Sequence, residues 1–422
     1  MTLMRSGARA YARKIFEETL AFSKDPAGGV SREGYGPVEQ KAHDYLRSAG
    51  EALGLEITTD PAGNLFMTYP GRDRSLPAYM TGSHADSVPQ GGHFDGLAGI
   101  AAGLAAIWWM KHEGAVPLRD TTLAVFRMEE SSWFGKAYVG SLALTGGLKA
   151  KDLALKHRTR DETLGEAISR AGFDPARLVA GAPLIDLKKI AAFTELHIEQ
   201  GPSLDSDDKA RVGIVTGIRG NVRHKAVRCL GVTGHSGAVD KIYRHDAVMA
   251  LACLLGRIDT QWDAFLSRGG DLVFTAGVVK TAASSAISVI PGEVSFTVDI
   301  RSLKTDTLER FHNVLTAEAG AVGAERGVTF TFDPVIRSAP ASLDKSLTAH
   351  LAEAARQAGI AFKFLPSGAG HDCAVLSNAG VPSSMIFIAN QNGSHNPREA
   401  MELDDFMLGA EVLFTSITTF DK

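Results

Sequence analysis

The 422-residue chain carries 44 Lys and Arg against 48 Asp and Glu, a net charge of −4, so it has no electrostatic surplus for gripping nucleic acid or anionic lipid. With 45% hydrophobic and 22% charged residues it has the make-up of an ordinary globular protein, and its length exceeds what one core usually supports, so two domains are expected. The three cysteines, Cys229, Cys253 and Cys373, are odd in number and widely spaced, which argues against a disulfide framework and for a reducing, cytoplasmic setting.

Residues 1–23 are basic but lack the apolar core of a signal peptide, and they read as an amphipathic helix with Ile15, Leu20 and Phe22 partly inward. From Pro37 to Leu53 the apolar residues Val38, Ala42, Tyr45, Ala49 and Leu53 form a helical stripe, and Gly54 follows as a stop. Short strands are predicted near 55–59, 64–69 and 77–84. The run Leu97 to Met110, with two adjacent tryptophans, is too short to span a bilayer and reads as a buried helix. A strand ending in LAVFRMEE follows, and after a polar stretch over 145–190 the sheet resumes with AAFTELHIE. This alternation predicts an α/β domain with a mixed, mainly parallel sheet and helices on both faces.

From about 212 the pattern changes. Strands near 211–217 and 222–233 precede a helix bearing Ala247, Leu251, Leu255 and Ile258 on one face. Strands at 273–280 and 293–301, a helix with Leu308, Phe311 and Leu315, and the strand VTFTF complete the segment. The expectation is a discontinuous catalytic domain, 1–211 with 331–422, and an inserted α+β domain of ferredoxin-like order over 212–330.

Five segments each end an apolar run with a charged or imidazole side chain. They are YMTGSHAD, GGHFDG, VFRMEES, FTELHIEQG and NGSHNP. In an open parallel sheet, ligands collect beyond the carboxyl ends of the strands, so these groups can converge. Imidazole with carboxylate suits Zn, Mn, Co or Ni better than Mg or Ca. His84 and Asp86 are two apart and face one side of an extended chain, so Asp86 can orient the imidazole. Glu129 and Glu130 point apart, leaving one for a metal and one for proton transfer. Each group also has a plainer role available: a hydrogen-bonded histidine, a solvated Glu-Glu pair, or Asp95 as a helix cap.

The order HAD, GGHFDG, EE, ELHIEQG, GHSG, IPG, DIR, SGAGHD and GSHNP resembles the M20 metallopeptidase superfamily. Within it the chain is similar to the amidase branch of N-carbamoyl-L-amino acid hydrolases, β-ureidopropionases and allantoate amidohydrolases, over about residues 30 to 415. The resemblance implies two divalent transition-metal ions per subunit. His84 and His197 would hold the first, Glu130 and His395 the second, and Asp95 would bridge them. It further implies Asp86 as the support of His84, Glu129 as general base, His235 as oxyanion donor, and Gln200, His235, Ser288, Arg301 and His371 as substrate contacts. His93 sits among these residues without matching a ligand position. The inserted domain would be a lid and the seat of a homodimer, and the partner would be a small molecule, with no nucleic acid or membrane.

The chain departs from the branch at three places: Ser288 replaces the usual asparagine before VIPG, Trp133 stands where a cation is usual after EE, and AVDKIYRHDA follows GHSG in place of a TPM stretch. The Trp133 exchange raises the expectation of a bulkier or less anionic substrate, against a plain packing role for the indole. The expected reaction is C–N bond hydrolysis of an N-carbamoyl amino acid or a related ureido or N-acyl compound by a metal-bridged hydroxide. The alternatives are an N-acyl amino acid amidohydrolase or dipeptidase with the same machinery, and a catalytically silent dimer that binds an amino acid derivative.

Overall fold

The computed structural model describes residues 2–421. The chain divides into two compact units, one running to Thr216 and resuming at Ser342, the other spanning Gly217–Ala341. In chain order the strands are β1 (Glu56–Thr59), β2 (Leu65–Tyr69), β3 (Ala78–His84), β4 (Thr121–Phe126), β5 (Ile190–Ile198), β6 (Val212–Ile218), β7 (Gly220–Leu230), β8 (Gly234–His235), β9 (Val273–Thr275), β10 (Val279–Thr281), β11 (Val289–Ile290), β12 (Glu293–Ser302), β13 (Thr329–Thr331), β14 (Ile336–Ser338), β15 (Phe362–Ser367) and β16 (Ser383–Ile388).

The first unit is built on an eight-stranded mixed sheet in the order β1-β2-β4-β3-β5-β16-β6-β15. Its four central strands, β4, β3, β5 and β16, run parallel. β1, β2 and β6 are antiparallel to their neighbours. β3, β4 and β16 are buried almost throughout, as expected of strands covered on both faces. Helix Leu97–Glu113, buried from Leu97 through Ile107, lies against this sheet and packs on helices Thr2–Ser23 and Leu403–Thr419. Gly99 permits that closeness, since a Cβ there would stand 2.3 Å from the carbonyl oxygen of Leu196 in β5.

Both boundaries of the inserted unit differ from the sequence reading. The strand expected to open the inserted domain at 212 is β6, which pairs with β16 in the large sheet. Val212, Ile214 and Val215 are fully buried there, and Val212 and Ile214 belong to the first unit's core. The second unit therefore starts at Gly217 and ends at Ala341, not at 212 and 330.

In the second unit β12 and β7 form the central antiparallel ladder, with β10 and β9 beside β12, and β13 and β14 beside β7. Strict alternation along β12 sends Val294, Phe296, Val298 and Ile300 into a core shared with helices Ala247–Leu266 and Thr305–Arg326. The strand predicted over 273–280 is two pieces, β9 and β10, separated by Ala276-Gly277-Val278.

Candidate metal centre

Because the central strands are parallel, their carboxyl ends lie at one edge of the sheet. His84 closes β3, Glu129 and Glu130 follow β4, His197 is the penultimate residue of β5, and the turn bearing His395 follows β16. Two groups of three donors form there, His84 with Asp95 and His197, and Asp95 with Glu130 and His395, and within each group the donor atoms lie within 4.8 Å of one another. Asp95 belongs to both. Its Oδ1 faces His197 Nε2 at 3.2 Å and His84 Nε2 at 3.6 Å, while its Oδ2 faces His395 Nε2 at 3.3 Å. His395 Nε2 is also 3.2 Å from Glu130 Oε1.

The electrostatics of the cluster draw in positive charge. Burial would raise the Asp95 carboxyl, but hydrogen bonds from His197, His395 and His84 hold it well below the usual carboxylate range. Burial opposes a charge on His84, yet Glu129, Asp86 and Asp95 together push it well above the ordinary imidazole value. His395, the most exposed of the set, is pushed up to about 11 by the carboxylates of Asp95 and Glu130. Nitrogen and oxygen donors, mostly buried and arranged as two groups around a shared carboxylate, fit a pair of divalent transition metals.

Glu129 stands apart from both donor groups, with Oε2 at 4.0 Å from His84 Nε2. Burial raises its carboxyl well above the ordinary value against the pull of His84, and Glu130 adds to the rise. Asp86 does more than orient His84, which it meets at 3.3 Å from Nδ1. Its Oδ1 accepts from the Glu129 backbone N–H at 2.9 Å and its Oδ2 from that of Glu130 at 3.0 Å. The turn it holds is strained: Met128 has φ of +45° although it is not glycine. Glu39 braces the same turn from below, accepting from Met128 N–H and pairing with the buried Arg127 at 2.9 Å.

Gln200 is also left-handed, with φ of +63°, and donates through Nε2 to Asp95 Oδ2 at 2.8 Å. Its Oε1 is buried with no protein partner among the described residues. His371 is buried with its ring against that of His197, and its Nε2 meets Ser367 Oγ at 2.9 Å. Glu195 joins His197 and His371 in a third donor group. Its oxygens already accept from Ser83 Oγ at 2.7 Å and Cys373 N–H at 2.9 Å, so it supports the strand ends rather than offering a free ligand.

Several residues that shape the site had no sequence signal of their own. Glu399 accepts from the backbone N–H groups of Phe94 and Asp95, and Ser394 Oγ lies 2.5 Å from Glu399 and 2.6 Å from Asp95 Oδ2. Both stand in the stretch GSHNPRE, and the acid four residues after His395 was the available clue. His93 is turned away from the centre: Nε2 donates to Phe16 O at 2.8 Å, and Nδ1 faces Arg32 at 3.5 Å. Burial and the Arg32 charge push it down to about 3, so it is a neutral, fully engaged imidazole.

Trp133 takes the packing role that the sequence left open beside a substrate role. Its indole N–H donates to Ser87 O at 2.8 Å, and its ring lies parallel to His157 and packs on a side cluster with Phe134 and Val139. It is engaged in packing and carries no argument for a bulkier substrate.

The remaining expected contacts lie in the second unit. His235 in β8 and Ser288 before β11 are joined by the β8–β11 pairing, and Ser236 N–H donates to Ser288 O at 2.9 Å. His235 is exposed, and its Nδ1 accepts from Gly237 N–H at 3.2 Å. Arg301 in β12 donates to Asp299 Oδ2 through Nε at 3.1 Å and Nη2 at 2.8 Å.

The family model of Peptidase family M20/M25/M40 matches residues 80–419. N-carbamoyl-L-amino acid amidohydrolase of Geobacillus stearothermophilus is 33% identical over 415 residues, covering 98% of each chain. Allantoate amidohydrolase of Escherichia coli K12 is 33% identical over 407 residues, covering 95% of this chain and 96% of that one. Among solved structures, a hydantoinase/carbamoylase family amidase from Burkholderia multivorans superposes with a TM-score of 0.89 at 28% identity, covering 97% of both chains. With its parallel strand ends and its paired donor groups, the chain belongs to peptidase family M20/M25/M40 and is an enzyme of that family's amidohydrolase kind.

Proposed function

We propose that the protein hydrolyses the C–N bond of an N-carbamoyl amino acid or a related ureido or N-acyl compound. One observation carries the reading: the two oxygens of Asp95 face two separate donor groups, the arrangement a bridging ligand needs. His84 and His197 would hold one divalent ion, Glu130 and His395 the other, with Asp95 shared. Bound ions would polarise the scissile carbonyl and lower the pKa of an attacking water.

The chain's own groups carry the rest. Glu129, buried and with a raised pKa, suits a group that takes a proton from water and returns it to the leaving nitrogen. Gln200 fixes Asp95 with its amide N–H and presents an unsatisfied Oε1, which a substrate N–H can fill. His371, neutral and enclosed, borders the same space. Arg301, aimed by Asp299, would pair with a substrate carboxylate in the bidentate manner of a guanidinium. His235 would donate to the developing oxyanion, a contribution of about 3 kcal/mol in other enzymes. Ser288, in place of an amide, leaves that end with fewer polar contacts. The similarity to N-carbamoyl-L-amino acid and allantoate amidohydrolases supports the ureido substrate class.

The second unit exposes Ile242, Tyr243, Met249 and Ile287. Exposed apolar side chains of this size favour a homodimer contact through this unit.

The deciding experiment is hydrolysis by protein loaded in turn with Zn, Mn, Co or Ni, across paired N-carbamoyl, N-formyl and N-acyl amino acids. Ammonia release from carbamoyl substrates is expected, and carboxylic acid release alone would move the assignment to an N-acyl hydrolase. Glu129→Gln should abolish turnover while leaving metal content unchanged, and retained turnover would remove Glu129 as the base.

A further inference from the structure

Beneath the candidate metal centre lies a buried cation that neither donor group uses. Arg32 is fully buried, and its side chain grips both shoulders of the turn from His84 to Asp95. Nε donates to Ala85 O at 2.6 Å, while Nη1 and Nη2 meet His93 Nδ1 and His93 O at 3.5 Å. The main chain does the same: Arg32 N–H donates to Ser87 Oγ, Ser87 N–H donates to Arg32 O, and Val30 pairs with Gly91 in both directions. A strap over residues 30–32 thus holds the segments bearing His84, Asp86 and Asp95. Among the described residues no carboxylate forms a direct ion pair with Arg32. The charges acting on it are Asp86, Asp95, Glu399 and Glu130, all carboxylates of the centre.

An unpaired buried guanidinium is costly, because desolvation is offset only by hydrogen bonds and by charges farther away. Here its field falls on a cluster of buried acids that repel one another. We infer that Arg32 is a positioning residue whose charge balances the carboxylates of the stripped centre and so sets how tightly cations are held. The same charge repels a bound cation, so Arg32 stabilises the stripped protein more than the loaded one. By linkage its loss must tighten metal binding by the factor with which it destabilises the stripped form relative to the loaded form. A packing role would instead weaken both forms equally. The inference rests on the metal-centre reading.

The test compares the full-length protein with Arg32→Met and Arg32→Lys, each stripped by a chelator and then titrated with Zn against a competing fluorescent chelator. Unfolding midpoints are followed with and without metal. Arg32→Met should lose more stability stripped than loaded and bind Zn about tenfold more tightly. Arg32→Lys, which keeps the charge, should stay within about threefold of the parent's affinity. Equal losses with unchanged affinity, or weaker binding by Arg32→Met, would overturn the charge role. If Arg32→Met does not fold in either form, Arg32→Lys decides: affinity near the parent's supports the inference, and a tenfold loss overturns it. A parent that fails to take up two ions sinks the metal reading and this one together, whereas two ions bound with no effect of Arg32→Met sink only this one.

Discussion

Asp86 shows how much one buried carboxylate can organise: it touches His84 through one oxygen and fixes the Glu129-Glu130 turn through both. Asp86→Asn keeps the shape but sets an amide N–H against a backbone N–H. The expected cost is ~1–3 kcal/mol in denaturant unfolding for the unsatisfied donor. A 10–100-fold fall in metal affinity is expected with it, read by chelator competition, because the His84 support is lost. His43 offers the opposite case. It is buried in helix Pro37–Ala52 with no partner for either ring nitrogen among the described residues. Burial, then Arg127 and Arg47, depress its pKa well below the ordinary 6.5, so the folded state takes up this proton less readily than the unfolded chain. Its contribution is fully present above 6.5 and is lost as pH falls. His43→Leu should therefore leave stability at pH 7 unchanged or higher and flatten the acid-side decline, as urea unfolding between pH 5 and 8 will report. The five candidate ligands were legible through the order and spelling of their motifs, which resemble the family; the ends of apolar runs alone left a hydrogen-bonded histidine or a helix cap open. Arg32, Ser394 and Glu399 were not, since their partners are set by long-range packing. For Trp133 the sequence left packing and substrate roles both open, because proximity to Glu130 in sequence says nothing of where an indole turns.

At the scale of elements, the strand-to-helix turn at Gly96 is a tight joint beside the centre. Its φ is +68°, and a Cβ would lie 2.5 Å from the His84 ring, so both conformation and space exclude a side chain. Gly114, at the far end of the same helix, has a similar φ of +70° and open space around it. Gly114→Ala should cost only the left-handed penalty of ~1–2 kcal/mol. Gly96→Ala should cost more, and it alone should weaken metal binding by displacing His84. Comparable losses in urea unfolding would refute the steric argument. The alternation of helices and strands exposed most of these elements in the sequence, including the buried Leu97–Glu113 helix. β6 escaped because Val-Gly-Ile-Val reads as an ordinary strand whichever sheet it joins, and no change of composition marks the passage from Thr216 to Gly217.

For the whole molecule, the buried acids of the centre make cation binding part of its stability. Chelation should lower the unfolding midpoint, and restoring a divalent metal at a hundredfold excess over its Kd should return ~2.7 kcal/mol, measured calorimetrically. An unchanged midpoint would separate metal binding from folding. The parallel strands that gather the candidate ligands also fix when the site can exist. His84, Asp95, Glu130, His197 and His395 come from segments spread over most of the chain, and they meet only after β4, β3, β5 and β16 have paired side by side. No short stretch of the nascent chain holds a complete ligand group, so a polypeptide still being made has little means of sequestering metal. Loading becomes a late event that reports completed folding. Metal should accordingly slow unfolding while leaving the refolding rate nearly unchanged.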